Sequence, residues 1–223
     1  MTFSDLVEDI KNCAQGSGYT DTEIKTRINR LIKRIARGVP VPGKFCLTPP
    51  LPSLYTTGTV ATVPGSGIAD LPSDYSRHAS HVEDSGGEEI PVNPSFVNFT
   101  KKYGGTISAG SVEEVAFVGN RIAYRDSPSV SEKLTVHYYT EPDELTADSD
   151  EPDCIPEGLH DTLIVSGVAK DIFDRIEDGM EGAKVNTSRH VNIYNQALEA
   201  LEIELGEDGE PDEYDDDSGG YIR

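Results

Sequence analysis

The chain has 223 residues and a formal net charge of −21, from 19 Lys and Arg against 40 Asp and Glu. So acidic a chain has no global attraction for phosphate or anionic lipid, which argues against gripping DNA or a membrane surface as its main task. Apolar residues make up 36%, Trp is absent, and Gly and Pro together number 35, which points to much loop and extended surface.

The longest apolar runs are four or five residues, far short of a membrane span. The N-terminus lacks the basic-then-apolar pattern of a signal peptide, so a cytosolic protein, or one assembled in a cytosol, is expected. Cys13, Cys46 and Cys154 are far apart and share no metal-ligand spacing, so reduced thiols are expected.

Phe3, Leu6, Val7 and Ile10 recur at helical spacing, with Thr2 or Ser4 available as a cap and Gln15-Gly16-Ser17-Gly18 as a stop. Thr20-Asp21-Thr22-Glu23 reads as a capping box opening a second helix that runs to Arg37 and stops at Gly38. Ile24, Ile28, Leu31, Ile32 and Ile35 cover one arc of that helix. Arg27, Arg30, Arg34 and Arg37 cover the other, with Lys25 and Lys33 flanking.

Five prolines between residues 39 and 54 predict an extended connector. Strands are predicted over 55–63, 77–83, 112–118, 121–125 and 133–140, with Gly119-Asn120 as a two-residue hairpin turn. Together they predict a small antiparallel sheet or barrel over about 55–140.

Residues 141–153 form an acidic loop. A helix is predicted from Pro156 to about Asp178, since proline fits a first turn and Glu157 complements the helix dipole. Gly167 in its interior costs helix propensity, and close approach by another helix is the usual compensation. Val191, Tyr194, Leu198, Leu201 and Leu205 stripe a last helix over 185–205. Residues 207–223 hold eight acids and Arg223, so −7 sits there and −14 elsewhere. Alone, such a segment has too little apolar surface to fold.

The fold class expected is α+β: a four-helix core with an inserted antiparallel β domain and an extended acidic C-terminal arm. The divisions are 1–38 and 154–205 for the two helix pairs, 39–153 for the connector and insert, and 206–223 for the arm.

No arrangement of residues calls for catalysis. His78 and His81, three apart on a strand, point to opposite faces, which argues against a shared metal. His137, His160 and His190 read as isolated, with His160 a structural hydrogen bonder. The acids of 141–153 lack the central Gly of a calcium loop. Gly65-Ser66-Gly67 lacks the Lys of a phosphate loop. No catalytic residue, cofactor or metal is therefore expected.

The basic face of Arg27, Arg30, Arg34 and Arg37 is the sharpest electrostatic feature. It suits acidic surface on a neighbouring subunit better than DNA, given the overall charge. Tyr214, Tyr221 and Ile222 could anchor the acidic arm in a partner's groove.

Several stretches together resemble a known family. They are a helix pair with Thr20-Asp21 opening the second helix and Arg30-Leu31-Ile32 inside it, and Leu71-Pro72-Ser73-Asp74-Tyr75 before a strand. Ile122-Ala123-Tyr124 and Leu134-Thr135-Val136-His137-Tyr138-Tyr139 follow, then Ile155-Pro156-Glu157 and Leu159-His160 before Leu163-Ile164-Val165. The chain resembles the head-to-tail adaptor (connector, neck) proteins of tailed bacteriophages.

The resemblance implies a non-enzymatic virion protein at the neck between capsid and tail, assembled in the host cytoplasm. It implies a homo-oligomeric ring, commonly a dodecamer, that binds the portal protein and the next tail component. Genomic DNA would pass through without specific binding, and no membrane is involved. Two alternatives are another neck component, a tail terminator or head-closure protein, and an acidic DNA mimic that occupies a nucleic-acid-binding partner.

Overall fold

The structure, a computed structural model, describes residues 1–14, 18–44, 46–103, 108–178 and 184–206, apart from the side chains of His78 and Ser80. Its described residues form a mixed α+β fold with five α-helices and two sheets. It divides into two compact units, one of Met1–Pro52 with Leu145–Arg223, the other of Ser53–Glu144.

In the first unit, α1 spans Phe3–Cys13 and α2 spans Asp21–Arg37. Each begins with a capping box, Thr2 with Asp5 and Thr20 with Glu23, so orphan backbone donors are satisfied reciprocally. α2 ends at Gly38, whose φ of 98° a side chain would strain.

The acidic loop completes the start of α1. The Phe3 and Ser4 amides donate to the carbonyls of Asp150 (2.7 Å) and Asp148 (3.0 Å). The Asn29 amide of α2 clamps Leu145 at both backbone groups, each at 3.0 Å. These contacts, with buried Val41, Leu51 and Leu145, explain why residues 39–52 and 145–153 group with the helices.

The segment after Pro156 is less regular than a single α-helix. Glu157–Leu159 is 3₁₀, His160–Val165 is π, and only α4, Ser166–Ile176, is α. Pro156 itself has ψ 133°, so it caps the first turn from outside instead of lying within it. The buried His160 ring turns back to the Ile155 carbonyl at 2.9 Å, tying the start of the wide turn to the residue before Pro156. α5 runs Val185–Gly206 and buries Tyr194, Ala197, Leu198, Leu201 and Leu205. Val191 of the expected stripe is only half-buried.

Gly167 shows why a helix interior accepts glycine here. A Cβ added to it would stand 2.6 Å from Leu31 Cδ2 and 2.9 Å from Tyr194 Cε2. α4 therefore touches α2 and α5 at its backbone.

In the second unit, β1 (Tyr55–Ala61), β7 (Lys133–Thr140) and β3 (Tyr75–Glu83) form one antiparallel sheet in the order β1-β7-β3. β2 (Ile68–Asp70), β6 (Arg121–Arg125), β5 (Glu114–Val118) and β4 (Val92–Asn93) form the other in the order β2-β6-β5-β4. Val118 opposes Arg121 across Gly119-Asn120, the expected two-residue turn, with Gly119 at φ 58°.

This unit departs from the sequence reading, which predicted neither β2 nor β4. β4 pairs with β5 in parallel, so the insert is not purely antiparallel. A helix, α3 (Phe96–Tyr103), lies where no element was expected. Both sheets contribute to one core, including Val60, Val82, Val115, Ile122, Leu134 and Val136. The alternate residues Ala116 and Ala123, opposed in register, face Phe99 of α3. Their small side chains give the aromatic face of α3 room to lie on the second sheet.

Candidate functional site

The arginines singled out by sequence all lie on α2. Arg30, Arg34 and Arg37 are exposed and Arg27 is half-buried. Arg27 lies over the Tyr19 ring at 4.8 Å, and Arg34 approaches Asp171 of α4 at 4.0 Å. Lys25 pairs with Asp148 and lies 5.1 Å from the Phe3 ring centroid. The stripe therefore exists, but part of its charge is met within its own unit. Tyr214, Tyr221 and Ile222 lie outside the described residues.

The acids of 141–153 do not converge on a common point. Asp150 accepts from the amides of Thr146 (2.7 Å) and Ala147 (2.8 Å), which hold its carboxyl below the usual range. Of the histidines, His160 is the structural bonder expected. His190 is buried and stacks on Phe173 at 5.4 Å. Burial, with Arg189 beside it, lowers its pKa.

His137 is not isolated. The β3–β7 register sets His81 directly opposite it, with ring centroids 4.7 Å apart. Glu83, two residues along β3 from His81, reaches both rings: Oε1 is 3.0 Å from His81 Nε2 and 3.4 Å from His137 Nε2. The hydrogen bond to His81, with His137 nearby, holds the Glu83 carboxyl below its usual range against a smaller opposing effect of burial. Sequence reasoning paired His81 with His78, its neighbour in the chain, and missed the cross-strand partner. The signal available was weak: two histidines on strands of unknown register.

The second unit also carries a cleft of about 300 Å³ beside α3, lined by Ile68, Phe96, Phe99, Tyr103, Tyr124 and Arg125 among others. Near it, Glu114 is buried beside Lys102, Tyr103 and Asn93. Burial alone would raise its pKa, but these three donors together lower it. The same bond raises the Tyr103 phenol. This cluster ties α3 to β4 and β5, which is a structural task. It leaves no unpaired acid or base for proton transfer.

Among the described residues no helix is long and apolar enough to cross a membrane. The three cysteines are free, two exposed and Cys154 half-buried.

No curated protein gives a significant match to the chain. The family model described as SU10 adaptor protein matches residues 1–216, running through both units and into the acidic C-terminal sequence. The chain belongs to the SU10 adaptor protein family, structural head-to-tail adaptors of phage virions with no known enzymatic class.

Proposed function

We propose that the chain assembles as a ring, commonly of twelve copies, below the portal of a tailed-phage capsid. There it links the portal to the next tail component and leaves a channel for the genome. The match of the adaptor family across residues 1–216 carries this reading. The helical segments α1, α2, α4 and α5 would form the ring-building core. The exposed Arg30, Arg34 and Arg37 on so acidic a chain supply a face for acidic surface on a neighbouring copy or the portal. The net charge of −21 suits a channel, because like charge does not retain phosphate. The arm, with Tyr214, Tyr221 and Ile222, would order on a partner and meet the ordering cost then.

Purified chain, alone and mixed with portal rings, is imaged by negative-stain electron microscopy and sized by light scattering. Rings or portal-docked density are expected, with binding weakened by deletion of 207–223 and by the double reversal Arg30→Glu, Arg34→Glu. A compact monomer that ignores portal sinks the reading. Portal affinity unchanged by the deletion would remove the arm from it.

A further inference from the structure

The geometry points to a binding site for a divalent transition-metal ion, of the zinc class, at His81, Glu83 and His137 on the β3–β7 strand pair. One donor atom from each of these residues lies within 4.8 Å of the other two. In a tetrahedral zinc site, bonds of about 2.0–2.1 Å place neighbouring ligand atoms roughly 3.3 Å apart. Here Glu83 Oε1 stands 3.0 Å from His81 Nε2 and 3.4 Å from His137 Nε2. Both separations from the carboxylate are therefore close to what a shared ion requires, and the two imidazole donors lie within 4.8 Å of each other.

The outer nitrogens are arranged to match. Nδ1 of His137 is 2.8 Å from the Tyr55 hydroxyl of β1, and Nδ1 of His81 is 3.4 Å from Glu89 Oε1. Tyr55 pairs with Tyr139 in register, two residues from His137, so its side chain reaches the same face. Glu89 is returned beside Glu83 by the tight turn at Asp84–Gly87. On binding, the ion would displace the proton that His81 Nε2 shares with Glu83, and a proton on each Nδ1 would leave each Nε2 lone pair for the ion. Histidines that bind metal ordinarily have this outer partner, which fixes tautomer and ring orientation. His137 Nε2 is shielded from solvent, and its approach to Glu83 Oε1 at 3.4 Å is too poorly aligned for a full hydrogen bond. A buried polar atom without a partner is costly, and an ion would satisfy it.

Two imidazoles and one carboxylate select a borderline ion such as Zn²⁺, Co²⁺ or Ni²⁺ over Ca²⁺ or Mg²⁺, which prefer oxygen alone. All three ligands are half-buried, so water completes the coordination. The ion would pin β3 to β7, where the register shifts between Arg77 and His81.

The test uses full-length, tag-free protein stripped with EDTA. Zn²⁺ is titrated by calorimetry, and Co²⁺ by its visible absorption in a buffer that does not bind metal. One equivalent should bind, with tetrahedral Co²⁺ absorption. Affinity should fall at least ten-fold in His81→Ala, in His137→Ala and in Glu83→Gln, and less in the positioning variant Tyr55→Phe. Far-UV circular dichroism checks that each variant folds. In wild-type protein, Zn²⁺ should protect His81 and His137 from diethylpyrocarbonate, read by peptide mapping, a measurement that needs no variant. Absence of binding at millimolar Zn²⁺ overturns the site. So does binding undiminished in the His81→Ala, His137→Ala double variant, or Ca²⁺ competing equally.

Discussion

Replacing Gly167 with alanine sets two effects of opposite sign against each other. Helix propensity favours alanine over an interior glycine by about 0.5–1 kcal/mol. The new Cβ would meet Leu31 Cδ2 at 2.6 Å and the Tyr194 ring at 2.9 and 3.0 Å. Comfortable carbon contacts are about 3.5–4.0 Å. The Leu31 methyl is the end of a flexible chain, but the residue is 3% exposed and has only packed core to move into. Tyr194 is 4% exposed and its ring cannot fold away. Overpacking of this kind costs about 1–3 kcal/mol. The net expectation is a loss of about 1 kcal/mol, roughly 3 °C in Tm for a protein of this size. Gly158→Ala is the matched control, because nothing lies within 4 Å of its added Cβ. It should gain about 0.5 kcal/mol or more through the unfolded chain. Urea unfolding followed by far-UV circular dichroism measures both. If Gly167→Ala proves as stable as wild type or more so, α4 does not approach α2 and α5 this closely, and the packing argument fails.

Asn29→Ala removes both hydrogen bonds to the Leu145 backbone and should cost about 2 kcal/mol in urea unfolding; a change below about 0.5 would mean that water replaces the clamp. Burial, with Arg189 beside it, keeps His190 neutral and its pKa below 6.5, so its contribution is complete above pH 6.5 and falls away as pH drops through the lowered value. His190→Phe should flatten the loss of Tm between pH 6.5 and 5, and identical slopes in both proteins would contradict this. Burial pushes the Cys154 thiol up to about 11, so maleimide at pH 8 should label exposed Cys46 and Cys13 ahead of it, as mass spectrometry of the labelled peptides will report; equal rates at all three would refute its shielding.

The parts of the fold legible in the sequence are those fixed by local chemistry. Thr20 and Glu23 announce the start of α2, Gly38 its end, and Gly119-Asn120 the β5–β6 turn, because each acts within four residues of itself. The missed α3 carried a readable pattern: Phe96, Phe99 and Tyr103 at helical spacing behind Ser95, whose hydroxyl accepts from the Asn98 amide. At eight residues it depends on the Ala116–Ala123 surface beneath it, and that surface exists only once β5 and β6 pair. The His81–His137 pair was hidden for a related reason. A one-residue slip of β3 against β7 would send these side chains to opposite faces, so their meeting is a property of register and not of either strand. Turn geometry fixes register between adjacent strands, but β3 and β7 are separated by more than 40 residues of intervening chain. Residues 160–165 went astray because Pro156 predicts only that a helical turn follows, not its pitch.

The internal partners of the arginine stripe bear on whether it can still serve a partner. A 4.0 Å contact between two half-exposed groups, Arg34 and Asp171, belongs to the class of surface ion pairs worth roughly 0–1 kcal/mol. The Arg27 contact with Tyr19 is a cation–π pair near solvent, about 0.5–1 kcal/mol. Neither is strong enough to commit its guanidinium against a desolvated carboxylate across an interface, where charge-assisted bonds are roughly twice as strong as neutral ones. The stability of α2 rests instead on Ile24, Ile28, Leu31, Ile32 and Ile35, all buried on the far arc. On the proposed reading, reversing Arg30 and Arg34 should weaken association while the helix that presents them stays folded. A loss of portal binding in that variant, with Tm unchanged, would be a statement about the interface alone.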